Sequence, residues 1–330
     1  MNKNFAILAS ISFLILVVGC MPDGIVIRPA PADRRLLEQV LHKDAGLFVR
    51  DKVAVIDIDG VMMNSLEGGW FGGSDNPVSL FLEKLQRAEK DPDVKAVVLR
   101  LNSPGGTVCA SDIMYRALQQ FKKKTRKPVI ACMLDVAASG AYYLACSSDG
   151  IVAQPTSVTG SIGTVMHTVS FSGIMNKLGI KAETIKSGKM KDIGSPFHDL
   201  SDEEREILSG IIMEFYEGFL DVVVAGRDNL SRDELRPLAD GRVYTARQAL
   251  QNGLIDKIGY PDDAVKWAKA KAGLERAQTI IYHRPLSNKS NIYASAERLS
   301  GGQALINLEL PSWLNAQGPQ FLYLWDGYLK

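Results

Sequence analysis

Between Lys52 and Cys146 the chain alternates three times between a strand-length apolar run and a segment of helical periodicity. The runs "KVAVIDIDG", "KAVVLRL" and "PVIACML" are followed by "PVSLFLEKLQRAEK", "SDIMYRALQQFKKK" and "GAYYLAC". Strands that are apolar throughout belong to a sheet covered on both faces, and the helical segments between them are the crossovers that parallel strands require. The fold class is therefore α/β, a parallel sheet with crossover helices. With 330 residues, 46% of them hydrophobic, the chain can bury a sizeable core in one large domain or two ordinary ones.

The flanking segments read less sharply. A connector rich in Pro and Arg, "PDGIVIRPAPADRR", leads into a possible short helix, "LLEQVLHKDAG". After Cys146 come the turn-rich "GIVAQPTSVTGSIGTV" and then "KAETIKSGKMKDIGSP". A long helix is announced by the capping box Ser201-Asp202-Glu203-Glu204, with Ile207, Ile211, Phe215, Phe219 and Val222 on one face. "GRVYTARQALQNGLIDKIGYPDDAVKWAKAKAG" is a further helical region that ends near Gly273, and "TIIYHR" suits one more strand. The terminal "PQFLYLWDGYLK" is apolar and extended in residue type, with Pro319 at its start. Such a segment docks, either along a groove or a neighbouring subunit, or as an edge strand of its own domain.

Lys and Arg total 38 against 37 Asp and Glu, so the overall charge points to no nucleic-acid partner. The one basic block, Lys122 to Lys127, falls where a helix ends and complements its dipole. The first twenty residues, "MNKNFAILASISFLILVVGC", have a positive start at Lys3 and an uncharged stretch from Phe5 to Val18. That stretch is short for a membrane span and suits the core of an export signal. Val17, Val18, Gly19 and Cys20 resemble the bacterial lipobox, which implies cleavage before Cys20 and lipidation of its thiol. Cys109, Cys132 and Cys146 then remain, an odd number in apolar contexts, expected to fill core volume rather than to form a disulfide framework.

Two turns carry candidate chemistry. "RLNSPGG", Arg100 to Gly106, follows a strand and precedes a helix, so its Gly105-Gly106 pair exposes backbone N–H groups at the carboxyl edge of the sheet. Ser139 stands at the equivalent edge one unit later, fenced by Ala137, Ala138 and Gly140. A serine there is either a helix cap or a nucleophile lifted clear of the sheet. The N–H groups of Gly106 and Gly140 could jointly hold an oxyanion. None of His42, His167, His198 and His283 lies in a pattern typical of a catalytic base. A neutral lysine can replace histidine, and Lys186, Lys189 and Lys191 all lie in "SGKMKDIGSP"; taken alone, Lys191 is a surface lysine.

"RLNSPGG", "DVAASGAYYLAC", "TGSIGT" and "SGKMKDIGSP", in this order, resemble the signal peptide peptidase A family of serine proteases, whose fold is shared with caseinolytic protease subunits and crotonases. "GRVYTARQA" resembles a later family segment, with Ala246 where glycine is usual. The resemblance implies Ser139 as nucleophile, Lys191 as general base, Ser161 as the hydroxyl that orients the amine, and Gly106 and Gly140 as oxyanion donors, with no metal or organic cofactor. It divides the chain into a lipoprotein signal peptide (1–19), a membrane-proximal connector (20–49), the protease domain (50–273) and a C-terminal extension (274–330). It further implies a homo-oligomeric ring in which Ser139 and Lys191 meet across a subunit boundary. The substrates would be signal-peptide remnants or other unfolded peptides, at the extracytoplasmic face of a bacterial cell membrane. Two rival readings are a crotonase acting on acyl-thioesters, where the Ser-Lys pair has no role, and a catalytically idle scaffold lipoprotein.

Overall fold

The computed structural model describes residues 35–64, 75–285, 321–325 and 327. In chain order the elements are β1 (Leu37–Lys43), β2 (Lys52–Asp59), α1 (Pro77–Lys90), β3 (Val94–Ser103), β4 (Gly105–Thr107), α2 (Val108–Thr125), β5 (Val129–Ala138) and α3 (Gly140–Ala145). They continue with β6 (Ile151–Ala153), β7 (Val158–Gly160), β8 (Val165–Met166), α4 (Ser172–Lys177), α5 (Asp202–Gly226) and α6 (Arg232–Leu235). The last are β9 (Val243–Thr245), α7 (Ala246–Gln251), β10 (Lys257–Ile258), α8 (Pro261–Lys271), β11 (Gln278–His283) and β12 (Phe321–Leu324).

The central sheet runs β1-β11-β2-β3-β5-β6-β10 and is parallel except for the edge pair β1-β11. Its middle strands alternate between two cores. Ala54, Ile56, Val97, Leu99, Leu101 and Met133 pack under α1, α2, α3 and α5, while Val53, Val55, Val98, Ile130 and Cys132 pack against Ala264, Val265 and Ala268 of α8. Each fully buried Val, Leu or Ile contributes about 1.5–3 kcal/mol, so burial on both faces, rather than strand propensity, holds the middle of the sheet. The helices start and stop on local signals. The Asn76 side chain accepts the Ser79 N–H at 3.1 Å to cap α1, and Thr107 Oγ1 accepts the Ala110 N–H at 3.2 Å to cap α2. At the other end of α2, Lys122, Lys123 and Lys124 occupy the last turn as the basic block predicts.

β5 changes partner along its length, and this creates the site. Ala131 to Met133 pair with β6, whereas Val136 to Ala138 pair with β7. β7 in turn pairs antiparallel with β9. Beyond the split, β4, β12 and β8 form a separate three-stranded antiparallel sheet over the carboxyl ends of β3 and β5.

Two expectations are corrected: the region from Gly241 to Gly273 is helical only in part, with Val243–Thr245 and Lys257–Ile258 as strands, and the segment before β2 changes type. "LLEQVLHKDAG" is not a helix: Leu37–Lys43 is a strand paired with β11, with a register irregularity between Val40 and His42. Two further apolar stretches behave as read, since Gln278–His283 and Phe321–Leu324 are both strands.

Candidate active site

Ser139 leaves β5 as the N-cap of α3, but it does not cap in the usual sense. Its side chain accepts no helix N–H, and its backbone is held at φ 53°, ψ −116°, a region that favours glycine. A non-glycine residue there stores roughly 1–3 kcal/mol, which the surroundings must over-determine. They do so with the Ser139 N–H donating to the Gly160 carbonyl at 2.7 Å and the Ser139 carbonyl accepting the Tyr143 N–H at 2.8 Å. Among the described residues the Ser139 Oγ is buried with no hydrogen-bond partner. Of the two readings of this serine, the geometry removes the ordinary cap, since the side chain accepts no helix N–H.

Ser161 is its neighbour across the sheet. Ala138 pairs with Gly160, so Ser139 and Ser161 leave adjacent parallel strands at one level, where strands stand about 4.8 Å apart. Ser161 also has a positive φ of 50°, is 7% exposed, and its N–H donates to the Arg242 carbonyl at 2.8 Å. The segment "GRVYT" thus braces Ser161 from β9.

The glycine turn completes the corner. Gly105 has φ +102° and its N–H donates to Ser103 Oγ at 3.1 Å. A Cβ on Gly106 would collide with the Met62 main chain, and a Cβ on Gly105 would collide with the Gly140 nitrogen. Both glycines are therefore needed for close approach, and the contact at Gly105 sets that residue against the Gly140 backbone. Ser111, which the sequence did not single out, lies in the same corner. Its Oγ donates to the Thr107 carbonyl at 3.0 Å and stands where a side chain on Gly140 would go. Only its spacing of four residues after the cap Thr107 could have pointed to it.

Lys191 makes no hydrogen bond to Ser139 Oγ within the chain. It lies in an exposed turn, its N–H donating to the Gly188 carbonyl at 3.1 Å, and among the described residues its amine has no side-chain hydrogen bond or ion pair. The next residue, Asp192, anchors that turn through Lys186 at 2.6 Å and His198 at 3.5 Å. Those contacts hold its carboxyl below the usual range, the Lys186 hydrogen bond first among the causes. Of the histidines, His198 is taken up by the Asp199 and Asp192 carbonyls, His283 by the Arg284 carbonyl, and His42 stands beside Asp44. Cys132 and Cys146 are buried free thiols, pushed up to about 12 by burial, as core-filling cysteines should be. Cys109 corrects the expectation for the third, being exposed beside the β4 groove. Cys20 lies outside the described residues, and no described helix is long and apolar enough to cross a membrane.

A presented serine on a strained strand-to-helix turn, opposite a double-glycine turn, suits attack on an acyl carbon. Comparison with known proteins decides among the acyl-transfer chemistries. Peptidase family S49 matches residues 121–275. An Enterococcus faecium protein bearing the name signal peptide peptidase SppA is 35% identical over 247 residues, covering 75% of this chain and 70% of that protein. The chain belongs to peptidase family S49. A Methanocaldococcus jannaschii protein named as a protease is 36% identical and is covered over 79% of its length, with 75% of this chain aligned. Protease 4 of Haemophilus influenzae is 31% identical over 82% of this chain and 43% of its own length. The S49 chain is a serine protease with the α/β fold of the signal peptide peptidase A family, and the crotonase reading falls away.

Proposed function

We propose that this chain is a lipid-anchored serine endopeptidase with a Ser-Lys dyad. It degrades cleaved signal peptides or other unfolded peptides at the outer face of the cytoplasmic membrane. The observation that carries the reading is the Ser139 corner: a buried hydroxyl without a hydrogen-bond partner among the described residues, held at φ 53° beside Ser161, with Gly105 of the double-glycine turn packed against the Gly140 backbone.

Ser139 Oγ attacks the peptide carbonyl carbon while the neutral Lys191 amine takes its proton, because a serine hydroxyl is a weak nucleophile without a base. The oxyanion that forms is held by the Gly106 and Gly140 N–H groups, an arrangement worth about 10²–10³-fold in rate per donor. The Lys191 ammonium then passes its proton to the leaving amine, and water repeats the sequence on the acyl-enzyme. Ser161 holds the amine in line during both transfers. In a single chain Lys191 is exposed and Ser139 Oγ has no hydrogen-bond partner among the described residues, which supports a dyad completed by Lys191 of a neighbouring subunit in a homo-oligomeric ring. Exposed apolar side chains on the same excursion, Ile174, Leu178 and Ile185, supply a surface for that contact. Anchoring through Cys20 places the ring where peptide remnants leave the export machinery.

A fluorophosphonate probe followed by peptide mapping tests the assignment. Label on Ser139, absent in Ser139→Ala and strongly slowed in Lys191→Ala, is the expected result. Label on another serine, or equal labelling of the Lys191→Ala chain, would remove the dyad.

A further inference from the structure

Asp192, His198 and Glu204 follow one another at six-residue intervals and bring one ligand atom each to within 4.8 Å of the others, on the excursion that carries Lys191. Asp192 is set by a run of tight turns: the Lys191 N–H donates to the Gly188 carbonyl at 3.1 Å, the Ile193 N–H to that of Met190 at 3.2 Å, and the Ser195 N–H to that of Asp192 at 2.9 Å. Glu204 is 5% exposed in the first turn of α5, where its Oε2 accepts the Ser201 N–H at 2.8 Å and the Ser201 hydroxyl at 3.0 Å. Lys186 holds Asp192 Oδ1 at 2.6 Å, and Asp192 Oδ2 lies 3.5 Å from His198 Nε2.

The imidazole is oriented from behind. His198 Nδ1 stands 3.0 Å from the Asp199 carbonyl, and the Asp199 carboxylate in turn accepts the hydroxyls of Ser170 and, at 2.8 Å, Ser172. A carbonyl only accepts, so Nδ1 carries the proton and the lone pair of the neutral ring is on Nε2. That nitrogen faces acceptors: the Asp192 carbonyl at 3.2 Å, Asp192 Oδ2 at 3.5 Å, and the Glu204 carboxylate. A nitrogen so surrounded calls for a cation between itself and the oxygens, either a second proton or a metal ion. An imidazole fixed at one nitrogen by a carbonyl, with the other open to carboxylates, is the arrangement that metal-binding histidines use. Ligand atoms at about 2.0–2.2 Å from a tetrahedral zinc ion stand roughly 3.4 Å from one another, and the Asp192–His198 pair is already at that spacing.

We infer that Asp192, His198 and Glu204 bind a zinc ion that ties the turn of Lys191 to the start of α5. An imidazole nitrogen with two carboxylates suits zinc, whereas magnesium and calcium favour oxygen ligands throughout. Phe219 of α5 meets Tyr143, on the helix that Ser139 opens, at 5.1 Å. The ion therefore joins the turn of the base to an element that rests against the nucleophile's helix. Its effect on turnover rests on the Ser-Lys reading; its binding does not.

Zinc is titrated calorimetrically into the full-length chain carrying Ser139→Ala, which prevents self-digestion, and Cys109→Ser, which removes an exposed thiol able to hold zinc. One ion per chain at micromolar affinity is expected, with magnesium at least a hundredfold weaker. Zinc should bind at least tenfold more weakly in His198→Ala, in Asp192→Asn and in Glu204→Gln. Glutamine serves in a capping box as glutamate does, so Glu204→Gln should keep the helix start and unfold in chelator at the same temperature as its parent. Asp192→Asn, in an exposed turn, is the second guard against misfolding. No saturable binding, or equal binding in the three variants, overturns the site. Tryptic cleavage after Lys189 and Lys191 should slow at least tenfold with zinc in the parent and not in Glu204→Gln; unchanged cleavage of the loaded chain overturns the tie to α5. With Ser139 intact, removal of zinc by a chelator should lower kcat at least threefold with little change in KM, and Glu204→Gln should not respond. A kcat indifferent to the chelator contradicts the coupling to the base. A chain with no peptidase activity under any of these conditions would instead bring down the Ser-Lys reading and leave the binding and cleavage results standing.

Discussion

Ser139 and Ser161 hold backbone conformations that alanine dislikes as much as serine does, and this makes the strain measurable. Ser139→Ala and Ser139→Gly should both abolish peptidase activity, by about 10⁴-fold or more in kcat. They should differ in stability: glycine relieves the φ 53° conformation, so the Gly variant should be more stable than the Ala variant by about 1 kcal/mol in thermal unfolding. Equal melting temperatures would mean that Ser139 is not strained. On the facing turn, Gly106→Ala has no room beside Met62 and should lower kcat/KM by about 10²–10³-fold, read on a short peptide. These residues differ in how far the sequence exposes them. Ser139 is visible because small neighbours and a strand-helix boundary surround it. Ser161 stands out only through the family motif, since its nearness to Ser139 depends on the Ala138-Gly160 register, formed between segments with no periodic signal of their own. Ser111 was missed because a serine inside a helix has many ordinary explanations.

At the level of elements, the readable ones are those whose hydrophobic pattern is satisfied locally or on both faces, as in β2, β3, β5, α1 and α2. β1 was misread because Leu37 and Val40 stay exposed, and what fixes the segment is the open edge of β11, more than two hundred residues away in sequence. The long helix α5 has its announced capping box, yet its apolar face is used only in the second half. Phe219 and Val222 are buried, while Ile207 is 42% exposed. The end of α5 is tied to the sheet by Arg227, which donates to both oxygens of Asp256 at 2.8 and 2.9 Å while Asp256 accepts the Ile151 N–H at 2.7 Å. Burial pushes the Asp256 carboxyl up, and the Arg227 and Ile151 hydrogen bonds more than reverse it, leaving it below the usual range. The stabilisation is therefore complete above the ordinary carboxylate value of about 4 and is lost as the pH falls through the lower folded value. Asp256→Asn should cost about 1–2 kcal/mol near neutrality, with allowance for the third of Asp256 that solvent reaches. Urea unfolding at several pH values should show the gap to wild type closing in acid. A gap that persists unchanged in acid would place the effect in packing rather than charge.

At the scale of the whole molecule, a run of exposed apolar groups among the described residues lies on the excursion between β8 and α5. Ile174 is 60% exposed, Leu178 68% and Ile185 98%, and Lys191 lies beyond them on the same stretch. Apolar groups in this number are expected to meet a second copy, so Ile174→Glu combined with Leu178→Glu should reduce the assembly seen by light scattering and lower activity per chain with it. Unchanged size would separate this surface from the ring. The sequence carries the ordered motifs but not the distance between Ser139 and Lys191, because that distance depends on tertiary and any quaternary placement rather than on the motifs themselves. The most direct measurement mixes Ser139→Ala chains with Lys191→Ala chains, each inactive alone, after dissociation and reassembly. A dyad completed between subunits predicts that activity returns, to roughly a quarter of wild type for random mixing in a closed ring. Mixed assemblies that form and stay inactive would contradict it.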